Sequence, residues 1–545
     1  MLVLLLLMQI APPGGEWEAR YAWLGTEANA LYGAEVDWIG DVDGDGWGDL
    51  IVNAPYHPNG IPGSLGGAAF LYSGQTGAEL DRMVSAVPPP YGFAIRVAGL
   101  GDVTGDGKPE VAISKPTGQF GTLDAIQIYS VLPWTLLFEV HSPQEYSSMG
   151  SSNCAGGTDL NGDGWPDLVA ADADFRANGV FATGAAHAFS GLNGAVLWRI
   201  SGPGGTNFGQ KVICPGDVNG DGYADVVTRS QIYPGHIHAL SGLDGSELYR
   251  FPGDYLYGFI GIDDRLAPCG DADGDGLPDY IVGQVEDPGV SNGMATIHRG
   301  YDGAIIHRWE GLRSGENFGH AVGGPGDVDG DGWPDYLVSA EAGIGLGRVY
   351  VFSGRDFSLL TTLYSPSSTP STFGYTLGSL GEDVTGDGGA EVVIGDYSEP
   401  VNGLHNAGAV YVFSFDRWLR ADARELSAST GGVVRFTLDF PASEASLKYR
   451  LLASDDLPGS VIVNGVGIPL VKTPILQKML TSPPPLFDQP AGALDSNGDA
   501  LITATFAPNT AASLIGRTLK FAAVSLLTPS QPSRSSAPAW VEIMP

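Results

Sequence analysis

Seven times along the 545-residue chain a nine-residue acidic phrase returns. It opens at Asp41 (DVDGDGWGD), Asp102 (DVTGDGKPE), Asp159 (DLNGDGWPD), Asp217 (DVNGDGYAD), Asp271 (DADGDGLPD), Asp327 (DVDGDGWPD) and Asp383 (DVTGDGGAE). Successive copies lie 61, 57, 58, 54, 56 and 56 residues apart. A period of that length means one small supersecondary unit per repeat, each unable to bury its apolar faces alone, so the units must stack on one another. It also explains the length, since 545 residues exceed one ordinary compact domain unless that domain is built from repeats.

Residues 198–253 show the content of one unit. The runs WRI, FGQKVICPGD, ADVVTRS, HIHALSGLDG and ELYRF are short, rich in β-branched and aromatic residues, and punctuated by Gly, Pro, Asn and Asp. They predict a four-stranded antiparallel meander with the acidic phrase joining its first and second strands. Seven such sheets bury their faces by standing radially around an axis, which is a seven-bladed β-propeller. An open solenoid would instead need polar capping repeats at both ends. The ends favour a ring: the last unit stops after a third strand, GAVYVFSF, while an unpaired strand-like piece, EWEARYAWLG, precedes the first unit. Residues near Glu18 to Trp23 are therefore expected to supply the outer strand of the last blade, with DRWLRAD after Phe415 as the competitor. The expected organisation is an N-terminal apolar segment at 1–15, a propeller at 16–417, a linker at 418–424 and a C-terminal β-sandwich at 425–545. The sandwich is read from VVRFTLDF, SLKYRLLA, SVIV, LITATF, RTLKFAAVSLL and AWVEI, with DSNGDA at 495–500 as a hairpin turn.

Carboxylates on alternate positions of a glycine-rich loop suit a hard dication, which takes six to eight oxygens from positions 1, 3, 5, 7 and 9 with a glycine at 6 for the sharp turn. The first loop offers Asp41, Asp43, Asp45, the Trp47 carbonyl and Asp49. The others offer Asp102, Thr104, Asp106, Lys108 and Glu110; Asp159, Asn161, Asp163, Trp165 and Asp167; Asp217, Asn219, Asp221, Tyr223 and Asp225; Asp271, Asp273, Asp275, Leu277 and Asp279; Asp327, Asp329, Asp331, Trp333 and Asp335; and Asp383, Thr385, Asp387, Gly389 and Glu391. No His or Cys, which softer metals prefer, occurs in these loops. Calcium in up to seven sites is the expected cofactor. Affinity is expected to be graded, strongest in loops one, five and six with four carboxylates and weakest in the threonine-containing loops two and seven. A single DGDG is an ordinary turn, but seven in one register are not.

The formal charge of −35 excludes nucleic acid and anionic membrane surfaces as partners, because both are bound by cationic side chains. Loop positions account for 24 of the 62 acidic residues, and seven bound dications would bring −35 to −21. Cys154, Cys214 and Cys269 permit at most one disulfide and have no zinc-site spacing. The opening MLVLLLLMQIAPPGG has the apolar run and small-residue flank of a secretory signal without its positive start, and no later run is long enough to span a bilayer. Secretion or a cell-surface location is expected, and millimolar calcium outside cells agrees with it.

Before the loops stand YGAEV, YGFAI, MGSSN, FGQKV, YGFIG, FGHAV and FGYTL, and after the first loop comes LIVNAPY, with Ala54 and Pro55. An aromatic-Gly phrase, a DxDGDGxxD loop and a Gly-Ala-Pro-like phrase together resemble the FG-GAP repeats of the integrin α-chain head. That resemblance covers about residues 17–417 and implies a seven-bladed propeller with calcium in hairpin loops on one face. By analogy it implies a monomeric adhesion or binding module for an extracellular protein or polysaccharide. The Ala-Pro phrase degrades in later repeats, all seven repeats here keep the acidic loop where the family has fewer, and nothing resembles the integrin legs or anchor.

A catalytic alternative is a carbohydrate-active or other hydrolytic site near the propeller channel around Asp263 and Asp264, beside Arg265. A third reading is a surface protein without a discrete ligand. His236 and His238 have strand spacing, yet His238 and His187 align with Phe70, Tyr350 and Tyr411 and read as fillers of one semi-buried position. Trp47, Trp165 and Trp333 are expected to pack between blades, while RSQIYPGH and DYLYGF are the candidate exposed aromatic loops.

Overall fold

The computed structural model describes residues 17–58, 66–85, 93–116, 123–144, 147–149, 152–230, 235–252, 266–285, 292–311, 315–340, 347–366, 371–378, 381–385, 389–415, 418–421, 423, 425–440, 442–455, 461–463, 466–468, 470, 472–481, 486–509, 511–515, 517–528, 531–535 and 539–545. Seven four-stranded antiparallel sheets follow the seven acidic phrases. In the fourth, Val212–Gly216, Asp225–Ser230, His236–Leu240 and Glu247–Pro252 form the expected meander, with the acidic loop between the first two strands. Burial explains the composition of each strand. Asp225–Ser230 is buried at every residue because both faces meet neighbouring sheets, so it shows no alternation of buried and exposed positions even though it carries polar residues. Glu247–Pro252 lies outermost and is largely exposed.

The first strands touch their successors around the ring, and sheet seven returns to sheet one, so the array is a closed propeller. The seventh sheet contains Thr376–Leu377, Val392–Asp396 and Ala409–Phe415, and its outer position is taken by Trp17–Leu24. DRWLRAD does not compete for that position: Leu419–Ala421 pairs with Gly432–Asp439. Trp418 and Leu419 are buried in the apolar core of the C-terminal unit, which is why this stretch, expected as linker, is drawn into a sheet.

The aromatic-Gly phrase has a steric basis. Gly209 has φ +73°, and a Cβ there would lie 1.9 Å from the Ala185 carbonyl oxygen of the preceding sheet. Only glycine permits that approach.

Two compact units divide the chain, one spanning Ala19–Ser414 and the other including Phe415–Pro545. The latter stacks the sheet of Leu419–Ala421, Gly432–Asp439, Asp499–Phe506 and Phe487–Asp488 on a larger one built around Thr518–Thr528, Lys448–Asp455 and Ala539–Met544. Phe436 and Phe521 meet between them with ring centroids 4.6 Å apart, which makes a β-sandwich. DSNGDA is a turn, as Asp495 Oδ1 accepts from the N–H groups of Asn497, Gly498 and Asp499. It is not a hairpin: Ala491–Ala493 and Asp499–Phe506 belong to different sheets, so the turn passes the chain between layers. The helix Pro474–Thr481 was not expected, although Thr473 caps it and proline opens it.

Candidate metal-binding loops and axial cavity

Each acidic loop is folded by its own carboxylates. Position 1 organises the curl: Asp41 Oδ1 accepts from Gly44 N and Asp45 N, at 2.7 and 3.1 Å, and Oδ2 from Gly46 N at 2.8 Å. Asp102, Asp217 and Asp271 repeat all three contacts. Asp159 and Asp327 keep the bond from the position-6 glycine. Position 5 closes the turn, with Asp45, Asp106, Asp163, Asp221, Asp275 and Asp331 each accepting from the N–H of position 7.

Position 9 does something sequence reasoning missed. Expected as a closing ligand, it is in most loops also a buried tie between two parts of its sheet. Asp225 accepts from Val218 N through Oδ2 and from Gly242 N, in the turn between the third and fourth strands, through Oδ1. Asp49, Asp167, Asp279 and Asp335 make the same pair of bonds. Burial pushes Asp49, Asp167, Asp225 and Asp279 up to about 6, and carboxylates of the same loop add to the rise against the lowering effect of those backbone N–H groups. Asp335 is raised further, by burial and then by Asp329.

Among the described residues, three loops bring three carboxylate oxygens within 4.8 Å of one another: Asp41, Asp43 and Asp45; Asp271, Asp273 and Asp275; and Asp327, Asp329 and Asp335. These are the loops with four carboxylates. In loops three and four Asn161 and Asn219 stand at position 3 and accept from Asp163 N and Asp221 N. In loop two the Thr104 hydroxyl donates to Glu110 at 3.3 Å. In loop seven Asp383 accepts from Thr385 N and Glu391 from Val384 N, while Asp387 lies outside the described residues. The donors are oxygens throughout, and repulsion between clustered carboxylates is relieved by a cation among them, so the set fits a hard dication.

The side chains at position 7 couple the loops. The Trp165 ring lies over Gly105 of the preceding loop, where a Cβ would come within 2.7 Å of it. Tyr223 covers Gly162, Leu277 covers Gly220 and Trp333 covers Gly274 in the same way. Lys108 reaches the Val42 carbonyl at 2.9 Å instead. Trp165 and Trp333 thus pack between blades. His187 and His238 occupy the middle of their third strands, as Phe70 and Tyr350 do, and are buried. His238 is satisfied by Glu247 Oε2 at 2.9 Å and lies edge-on to Phe208.

The catalytic alternative at Asp263, Asp264 and Arg265 lies outside the described residues, as do DYLYGF and much of RSQIYPGH. The axis itself holds a cavity of about 150 Å³ lined by first strands, with Glu35, Asp37, Asn153, Cys154, Lys211 and Cys214 on its walls. All three cysteines are free thiols. Arg96 sits 3.6 Å from Glu35 Oε1, and Asp37 Oδ2 accepts from Gly99 N at 2.9 Å. Burial pushes Asp37 from 3.8 up to about 7, with Glu35 adding and Lys211 opposing. A carboxyl whose pKa is raised by folding stabilises the native state below its unfolded value, and that contribution disappears as pH rises from 3.8 to 7. Asp37→Asn keeps an oxygen for Gly99 N–H without the charge. It should raise stability at pH 8 by about 1–2 kcal/mol, below the full linkage value because the cavity admits solvent, and change little at pH 4. Urea midpoints of both proteins at the two pH values, in calcium, measure this.

A family model for the FG-GAP-like repeat matches residues 159–228. Integrin alpha-3 of Mus musculus is 31% identical over 119 residues, 21% of this chain and 11% of that one. Integrin alpha-7 of Homo sapiens is 31% identical over 137 residues, 24% and 11% of the respective chains. Integrin alpha-V of Gallus gallus is 26% identical over 216 residues, 36% and 20%. The aligned segments therefore span about a tenth to a fifth of the length of these relatives. Among the described residues, no helix is long and apolar enough to cross a membrane.

Proposed function

We propose that this FG-GAP-repeat chain, integrin α-like in its repeats, is an extracellular calcium-stabilised propeller that binds a protein or polysaccharide partner. The observation that carries the reading is the placement of the acidic loops. Each joins the first and second strands of its sheet, so all lie on one face and serve the scaffold, leaving the opposite face and its loops for a partner. Calcium is held by side-chain oxygens at positions 1, 3 and 5, all carboxylates in loops one, five and six, with position 9 closing the shell where it approaches, as Asp335 does in loop six. Its role is structural: it neutralises clustered charge and fixes loops that already interlock through position 7. Extracellular calcium concentrations fill sites of millimolar to submillimolar affinity, which cytosolic concentrations do not.

The test is a screen of the purified chain against immobilised extracellular-matrix proteins and polysaccharides, with calcium or with EDTA, assayed also for soluble products. Saturable binding that is lost in EDTA and releases no product is the expected result. Product release would overturn the binding-module reading in favour of a hydrolase. No retention on any surface would favour a scaffold without a discrete ligand.

A further inference from the structure

Loop five carries the same four carboxylates as loops one and six, but its surroundings differ. The turn between the third and fourth strands of a sheet opens at Ser73, Ser190, Ser241 and Ser353, each donating its N–H across the turn and accepting one back four residues on. In the fifth sheet the same two backbone bonds are made by Arg299, to Ala304 O and from Gly303 N. The next residue, Gly300, donates to Asp279 Oδ1 at 2.8 Å, which anchors this turn against the acidic loop. The arginine side chain is thereby held over the loop. Its Nε lies 2.7 Å from Asp273 Oδ2 and 3.9 Å from Asp275 Oδ2, and a terminal nitrogen lies 3.7 Å from Asp302 Oδ2. Asp273 and Asp275 belong to the carboxylate cluster that would hold an ion in this loop.

Resting on the calcium reading above, we propose that Arg299 is the internal cation of loop five and competes with calcium for Asp273 and Asp275. A guanidinium and a dication cannot share those oxygens at bonding distance without strong repulsion, so ion entry requires Arg299 to swing away. Loop five is then held together without calcium and fills last among the four-carboxylate loops, which overrides the ranking that carboxylate count alone predicts. Arg299 sets that preference without being a metal ligand.

Arg299→Ser restores the residue of the other sheets and is the informative variant. In the full chain, ions bound at each free calcium concentration are counted by native mass spectrometry, and melting is followed in EDTA and in calcium. One site of the variant should fill at roughly three- to tenfold lower calcium, the scale expected for losing a small network of partly exposed ion pairs. Melting in EDTA should fall, and the rise produced by calcium should be larger than in wild type. Arg299→Lys, which keeps the charge without the planar fork, should titrate closer to wild type. A titration of Arg299→Ser superimposable on wild type, or equal loss of stability with and without calcium, overturns the inference while leaving the calcium reading intact. A wild-type chain that binds no calcium overturns both.

Discussion

Withdrawing calcium is expected to lower the melting temperature of the propeller by roughly 10 °C. If each site has a dissociation constant near ~10⁻⁴ M, calcium at ~1 mM stabilises it by about 1.4 kcal/mol, or about 10 kcal/mol for seven sites. An unfolding entropy of about 2 cal/mol/K per residue, over roughly 400 residues, converts that to the stated shift. The structure supplies the reason the ion-free state is strained. Asp41, Asp43 and Asp45 crowd their oxygens within 4.8 Å, and the same holds for the groups in loops five and six. Moreover, the buried position-9 carboxylates are raised to about 6 by burial and by their neighbours' charge, so at neutral pH each is ionised at a cost. Scanning calorimetry in EDTA and across a calcium series measures the effect. Melting independent of calcium from zero to 10 mM would eliminate the structural role.

The repeat was legible because its message is redundant. A nine-residue phrase at one sheet per period fixes strand number, loop position and blade count together, and the Gly-Asp alternation predicts the turn geometry that Gly46 and its counterparts among the described residues adopt with positive φ. What the phrase conceals is how carboxylates of one type divide their work. Asp41 and Asp49 look equivalent in DVDGDGWGD, yet Asp41 curls the loop while Asp49 is fully buried and bonds a turn 25 residues away at Gly74. Which N–H groups converge on a carboxylate depends on sheet register, which a single loop does not encode. Arg299 was hidden for a similar reason, since its significance appears only when the third-to-fourth turns are superimposed and serine is found at most of them. The helix Pro474–Thr481 had a readable start in Thr473-Pro474, but eight residues are too few to impose a helical periodicity on a β-rich segment.

Trp23→Ala should destabilise the propeller by about 3–5 kcal/mol, the usual loss for truncating a large packed aromatic. This residue closes the ring. Its Nε1 donates to Gly77 O at 2.8 Å, its ring stacks on Tyr72 with centroids 4.4 Å apart, and the adjacent Tyr21 hydroxyl donates to Gln75 O. Every one of those partners belongs to the first sheet, whereas the backbone of Trp23 belongs to the outer strand of the seventh. Outer strands elsewhere lean on the next sheet in the same manner. Trp198 Nε1 donates to Gly242 O, Tyr249 bonds Gly300 O, and Trp309 Nε1 donates to Phe357 O. The strand Trp17–Leu24 therefore does for sheets seven and one what a covalently continuous fourth strand does for the other pairs. Trp309→Ala is the matched control, because Trp309 bonds Phe357 O and stacks on Phe352 with centroids 4.5 Å apart, the same two contacts at a junction that the chain itself spans. Urea denaturation should show comparable losses in midpoint for the two variants. A Trp23→Ala protein as stable as wild type, beside a weakened Trp309→Ala, would mean that the ring does not depend on the Trp17–Leu24 strand for its closure.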